Sequence, residues 1–510
     1  MSIRRGTIAA VVLLGLWEGA AQVLSDGVLF VGPLGILFHI GANPGLLVRA
    51  TATTTQNAAL GFLWGNLAAV LMASVVVVLP RTERVISSAA LVVFCLPLVA
   101  TGPILRVISG PGDTPQIALA ALAVYYTTFL AMRVGLRAMP ANWSDLMSVY
   151  GRGALATLLT VRARASLPYL FVGLQIAAPA AFLGAMIGEF TGAERGLGVL
   201  TLRAMRSLDV EATWSLAVIS AAMAMLLYAL VGAAGRWLVG YTPDIILSPP
   251  RTMAHNRWTG MLQACGAALL LILLWQISMD LADLNRFFAK RPADVLSYLL
   301  ADAPARATLL RALAETTATT IPGYLAGLVL GAALAMGVIL LPRASGVVLP
   351  VAVALRAIPI ITTAPLIVLA LGRGATGTIA VIAVMIFFPT FVACLQGLRQ
   401  TPRAVSDLFR SYGAGPVTVL YLAQIPGMLP AFFAAAKMAV PAAILAVTTT
   451  EWLVTGKGIG LLVALTSTTS NYNMLWSCIV ATTVLAVVIY AVVVRVERVV
   501  LSKYASEQVI

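Results

Sequence analysis

The side chains of this sequence that could act on a solute or a partner come in pairs 262 positions apart. Glu189 and Glu451 each end an apolar run, and glycines follow seven and nine residues on, Gly196 and Gly198 in one case, Gly458 and Gly460 in the other. If those runs cross a bilayer, a carboxylate there is costly, and it either faces a pathway as a gate or caps a short external helix. Arg356 lies inside another apolar run, with Phe94 at its partner position. It either attracts an anion or pairs structurally near one leaflet. A longer signature, Asp145-x4-Tyr150-Gly151 closing on Leu167-Pro168, returns as Asp407-x4-Tyr412-Gly413 closing on Leu429-Pro430. An acidic residue near a first turn favours helix initiation, the glycine permits a sharp turn, and the proline sets the start of the next run. The product is a short surface helix offering Leu146 and Met147, or Leu408 and Phe409, to a partner's groove.

Bond-making chemistry is missing from the sequence. There is no GxxxxGK[ST], no GxSxG and no HExxH, so no residue is assigned as catalytic and the chain holds no nucleotide site of its own. His39 and His255 stand alone in loops, and Cys95, Cys265, Cys394 and Cys478 sit singly in apolar runs without CxxC spacing. No metal site, cofactor or disulfide framework is expected.

The elements that position these residues are membrane spans. The chain is 60% hydrophobic and 10% charged, with a mean hydropathy of +0.97, where a soluble chain carries about 25% charged residues. Runs of about 20 apolar residues, each enough to cross the hydrocarbon, number about twelve. They centre on 8–24, 57–79, 85–108, 115–133, 170–190 and 212–235, then on 260–277, 318–340, 346–371, 376–394, 432–454 and 474–496. The first run contains Glu18 and lacks a clear cleavage site, and reads as a retained helix. Pro97, Pro103, Pro359 and Pro365 interrupt helical hydrogen bonding in mid-span, which is tolerated where a helix lines a cavity or is braced by neighbours. The formal charge of +14 is spread over short loops, mostly on one side by the positive-inside pattern, which excludes a nucleic-acid-binding face.

The pairing extends along the chain. Sliding the sequence by 262 aligns Gly61 and Gly65 with Gly323 and Gly327, Leu79-Pro80-Arg81 with Leu341-Pro342-Arg343, and Trp214 and Tyr228 with Trp476 and Tyr490. This is a duplicated six-helix unit. The expected fold is an all-α polytopic membrane protein of about 12 transmembrane helices, arranged as two parallel repeats about an axis along the membrane normal, with a pathway between them. The first repeat spans 1–240, a cytoplasmic linker 241–258, and the second repeat 259–510.

Within the loops at 142–168 and 404–430 the sequence resembles the permease subunits of ATP-binding-cassette importers, whose coupling loop reads Glu-Ala-Ala-x3-Gly-x9-Ile-x-Leu-Pro. Asp407 stands for the Glu, Gly413 follows six residues on, and Ile425-Pro426 falls at the Leu-Pro end, while Asp145 and Gly151 are in register in the first copy. There are departures: both alanine positions are bulkier, Ala423 replaces the isoleucine, and Arg164 stands where the first copy would match Pro426, leaving Pro168. Arg356-x2-Pro359-x5-Pro365 and Glu451-Trp452-x5-Gly458-x-Gly460 look like the branch that handles nitrate, sulfonates, taurine and pyrimidine precursors.

The resemblance implies a type I importer permease with its two domains fused, in a bacterial inner membrane. It implies two cytoplasmic ATPase subunits carrying ATP and Mg, gripping the two loops through Asp145, Leu146, Tyr150, Gly151, Pro168, Asp407, Leu408, Tyr412, Gly413, Pro426 and Pro430. An extracytoplasmic binding protein would deliver a small solute of the sulfonate, nitrate or pyrimidine type. The alternative is an ion-coupled secondary transporter of six plus six helices, which would need coupling carboxylates near the midplane.

Overall fold

The computed structural model describes residues 14–23, 31–139, 141–240, 257–341, 364, 367–368, 370–372 and 374–504. These are nearly all helical. In the first half the helices are α1 (14–23), α2 (Pro33–Ala42), α3 (Pro44–Val78), α4 (Glu83–Phe94), α5 (Leu98–Ser109), α6 (Thr114–Arg137), α7 (Ala141–Val149), α8 (Ala154–Phe190), α9 (Leu197–Arg206) and α10 (Val210–Val239). In the second they are α11 (Arg257–Leu281), α12 (Pro292–Ala301), α13 (Ala303–Leu340), α14 (Ala375–Arg399), α15 (Arg403–Ser411), α16 (Pro416–Thr455), α17 (Gly458–Thr468) and α18 (Tyr472–Tyr504).

Among the described residues eight helices are long and apolar enough to cross a membrane: α3, α6, α8 and α10, then α13, α14, α16 and α18. α11 carries the expected span at 260–277, the run at 8–24 is described only for α1, and 346–371 lies almost wholly outside the described residues. The expected span at 85–108 is broken between two helices at its mid-span proline. α4 stops at Phe94, and α5 leaves at 91° to it. Pro97 caps α5, since its ring has no N–H to continue the ladder and restricts the residue before it.

Both halves are built the same way. α6 packs between α3 and α8, and α14 between α13 and α16. The glycine pairs explain how closely: a Cβ on Gly65 would sit 2.5 Å from the Ala121 carbonyl oxygen on α6, and one on Gly327 would sit 2.8 Å from that of Ala383 on α14. Small residues four apart let helix backbones approach in a bilayer, where no hydrophobic drive separates helix from lipid.

The duplication reaches further than the 262-residue register shows. Trp17 on α1 lies 5.7 Å from Trp214 and donates its Nε1 hydrogen to the Val31 carbonyl, while Trp275 on α11 stacks 5.1 Å from Trp476 and donates to the Lys290 carbonyl. Trp214 and Trp476 keep the 262 spacing, but Trp17 and Trp275 are 258 apart: α2 and α12 begin 259 apart, and α13, at 38 residues, is three longer than α3, at 35.

The halves interlock through the broken pair. α5 packs on α16, α17 and α18 of the second half, and α11 packs on α4. The largest buried cluster therefore mixes Cys95, Val99, Leu119 and Ile187 with Leu328, Val440, Ala443 and Val447.

Candidate functional site

The paired signature forms a surface helix in each half. α7 ends at Val149, Gly151 takes φ +63°, its N–H reaches the Ser148 carbonyl and the Arg152 N–H reaches that of Met147. α15 closes identically, with Gly413 at φ +73°, its N–H on Arg410 and that of Ala414 on Phe409. This crossed pair of bonds around a left-handed residue satisfies the last carbonyls of the helix, and only glycine takes that conformation without strain. Leu146 and Leu408 are exposed, as are Tyr150 at 72% and Tyr412 at 83%, and Trp143 extends the same stripe on α7. Met147 and Phe409 are half-buried.

Two expectations about these elements are corrected. Asp145 and Asp407 are the fifth residues of their helices, not in the first turn, so they do not initiate them; Asp407 instead faces Arg410 at 3.6 Å on the surface. Nor do Pro168 and Pro430 set the start of the following spans. The long helices begin at Ala154 and Pro416 and run through both prolines, and Pro426 sits in the first turn after an irregular segment. That segment is a π turn, at Leu158–Arg162 in α8 and Leu420–Gln424 in α16. It recurs where the first copy has Arg164 in place of Pro426, so the proline does not cause it. Single π turns inside α-helices cluster at functional positions.

At the opposite ends of α8 and α16 the two carboxylates are buried, Glu189 at 1% exposure and Glu451 at 3%. Glu189 accepts hydrogen bonds from the Thr54 hydroxyl at 2.7 Å and the Gly198 N–H at 2.6 Å, while Thr54 accepts one from the Leu197 N–H at 2.9 Å. In the second half Glu451 accepts from Thr316 at 2.9 Å and Gly460 at 2.9 Å, and Thr316 accepts from Ile459 at 2.9 Å. Each carboxylate thus holds the N-terminus of a short helix, α9 or α17, where unpaired N–H groups and the helix dipole favour an anion. The glycines leave room for it: a Cβ on Gly196 (φ +131°) or Gly458 (φ +67°) would overlap the carboxylate, and one on Gly198 would come 2.6 Å from the Met186 carbonyl oxygen. Thr54 and Thr316 were not singled out in the sequence, although they too obey the 262 register.

Pro97 and Pro103 are both buried, the first at the break between α4 and α5 and the second inside α5. Arg356, Pro359 and Pro365 lie outside the described residues.

Two ion-paired groups centred on buried cations, Arg133 and Lys437, carry no sequence signature, and neither has a counterpart at its register positions in the other half. Glu83 on α4 binds Arg133 and, at 2.6 Å, Arg137 on α6. Lys437 in the middle of α16 binds Glu497 on α18 at 2.7 Å. The register positions of Lys437 and Glu497 in the first half are Gln175 and Gly235, and those of Glu83 and Arg133 in the second are Ser345 and Leu395.

Comparison with known proteins bears on what this arrangement is for. The family described as binding-protein-dependent transport system inner membrane component matches residues 65–241 and again 323–504. A probable ABC transporter permease of Haemophilus influenzae is 31% identical over 197 residues, 38% of this chain and 77% of that protein, which is thus about half as long. The formylaminopyrimidine transport permease ThiX of Halalkalibacterium halodurans is 33% identical over 148 residues, 29% of this chain and 59% of that protein. The taurine transport permease TauC of Escherichia coli is 25% identical over 202 residues, 39% of this chain and 74% of that protein.

Proposed function

The chain belongs to the family of binding-protein-dependent transport system inner membrane components, with two permease units in one polypeptide, and from that premise we propose that it is the complete membrane pathway of an ATP-driven importer. The units are residues 1–240 and 259–510, joined by 241–258. The observation that carries the reading is the repeated surface helix: α7 and α15, between the same two spans of each unit, expose a matching apolar stripe ending in Tyr150 and Tyr412. Two exposed, rigidly capped apolar helices on one face suit two copies of a grooved partner, here a pair of ATPase subunits that hold ATP and Mg. Their approach on nucleotide binding would push α7 and α15, and the π turns would pass the displacement into α8 and α16.

The buried carboxylates Glu189 and Glu451 fix α9 and α17 to the opposite face, where an extracytoplasmic binding protein would dock, in a bacterial inner membrane. The solute belongs with those of the relatives, a pyrimidine precursor or a sulfonate such as taurine. An ion-coupled carrier is less well supported, because the buried carboxylates at hand are engaged: Glu189 and Glu451 cap helices, and Glu497 is paired with Lys437.

Affinity purification of the chain from its native cell tests the reading, with Leu146→Asp plus Leu408→Asp as the variant. Co-purifying ATP hydrolysis that the variant loses is expected. A wild-type chain that purifies alone and transports on an ion gradient without nucleotide would sink it.

A further inference from the structure

α7 and α15 end on the same glycine cap, yet the faces they expose are unequal. At 3.6 residues per turn, positions 143, 146, 149 and 150 cover an arc of about 120° on α7 and its capping turn, and positions 405, 408, 411 and 412 cover the same arc on α15. Two of the four pairs are identical, Leu146 with Leu408 and Tyr150 with Tyr412, and Asp145 and Asp407 flank them alike. The other two differ. Trp143, 57% exposed, stands where α15 has Val405, 37% exposed, and the exposed Val149 stands where α15 has Ser411. The Ser411 hydroxyl turns back to donate to the Leu408 carbonyl at 2.8 Å, so that end of the arc carries no apolar group.

The shared leucine, tyrosine, aspartate and cap fit one kind of groove on both helices. A helix lying in a groove is anchored at positions i, i+3 and i+7, and the binding strength concentrates in a few large side chains, tryptophan and tyrosine foremost. α7 brings both, while α15 brings the tyrosine without the indole. A groove wide enough for the Trp143 ring is left part-empty by Val405, and groups that line a void forfeit their contacts there.

We propose that α7 and α15 dock two copies of one ATPase subunit with unequal strength, α7 as the tight anchor and α15 as the weaker contact, with Trp143 and Val149 supplying the difference. This rests on the importer reading and deepens it. The partner's groove is apolar and takes an indole at one end. Assembly is then stepwise: the first subunit joins at α7, and the second closes on α15 with the first already in place.

The test uses the full chain in lipid nanodiscs, with the ATPase subunit that co-purifies with it added back as the probe, in the absence of nucleotide. Leu408→Asp leaves α7 alone to bind, Leu146→Asp leaves α15 alone, and biolayer interferometry gives the dissociation constant of each. The α7 site is expected to bind roughly tenfold tighter. Trp143→Val plus Val149→Ser in the Leu408→Asp chain should remove that advantage, and Val405→Trp plus Ser411→Val in the Leu146→Asp chain should confer it on α15. All four positions are exposed, so these substitutions leave the packed core untouched. Equal affinities, a tighter α15, or two different ATPase subunits in the purified complex overturns the proposal. So does indifference to Trp143→Val plus Val149→Ser, the result expected of an indole lying among lipid headgroups. Failure of the importer reading itself would look different: no ATPase subunit would accompany the wild-type chain.

Discussion

Replacing Glu451 with alanine removes the acceptor of the Gly460 N–H and of the Thr316 hydroxyl. The hydroxyl can turn back to its own helix, as Thr54 does toward the Ala50 carbonyl in the first half. The Gly460 N–H has no such freedom, and a buried donor left without an acceptor costs about 1–3 kcal/mol. Glu315 still accepts from the Gly458 N–H at 3.0 Å, which limits the damage to the first turn of α17. A net cost of about 1–3 kcal/mol in local stability corresponds to roughly 5- to 140-fold faster opening at about 1.4 kcal/mol per decade. Hydrogen exchange followed by mass spectrometry reads this directly on peptides covering 458–468. The molecule carries its own control in α9, whose carboxylate Glu189 is untouched. Exchange in 458–468 that stays at the wild-type rate, or that rises equally in 197–206, would refute the capping argument.

Two further outcomes follow from packing. Lys437→Met alone should cost about 3–5 kcal/mol because it strands Glu497 in a buried site, whereas Lys437→Met with Glu497→Leu should recover most of that; thermal unfolding in detergent decides, and a double variant no better than the single one counts against a paired role. Gly65→Ala should destabilise by about 1–3 kcal/mol, because its Cβ meets the Ala121 carbonyl of α6, while Gly337→Ala on α13, with open space around it, should be neutral or stabilising by up to about 1 kcal/mol.

Much of this was legible in the sequence wherever the residue types are rare and the spacing fixed. Tyr-Gly after a short polar stretch announces a capped helix end, and a glutamate followed seven and nine residues on by glycines announces a close approach of backbone to carboxylate. Thr54 and Thr316 escaped because threonine is common in apolar spans and its hydroxyl leaves no mark on hydropathy. Lys437 was averaged away inside a strongly apolar run for the same reason. Pro97 signals an interruption of the span at 85–108, but hydropathy measures solvent preference and not direction, so the 91° turn after Phe94 leaves no mark in it. Pro168 misled because proline usually opens a helix; here it falls well inside one that had already begun. The first helix of each repeat falls out of the register chiefly because α13 is three residues longer than α3, and the contacts of Trp17 and Trp275 align it.

The two solitary ion pairs show what joining the units into one polypeptide permits. In a dimer of identical chains every substitution is made twice, so a lysine in the middle of one span would need its glutamate on both sides of the axis. Here Lys437 and Glu497 answer to each other in one unit while Gln175 and Gly235 occupy the same places in the other. A tether that fixes which unit meets which turns a symmetric solution into two separate ones. Each unit can then drift toward its own task, so that an asymmetric solute meets an asymmetric channel in a single orientation.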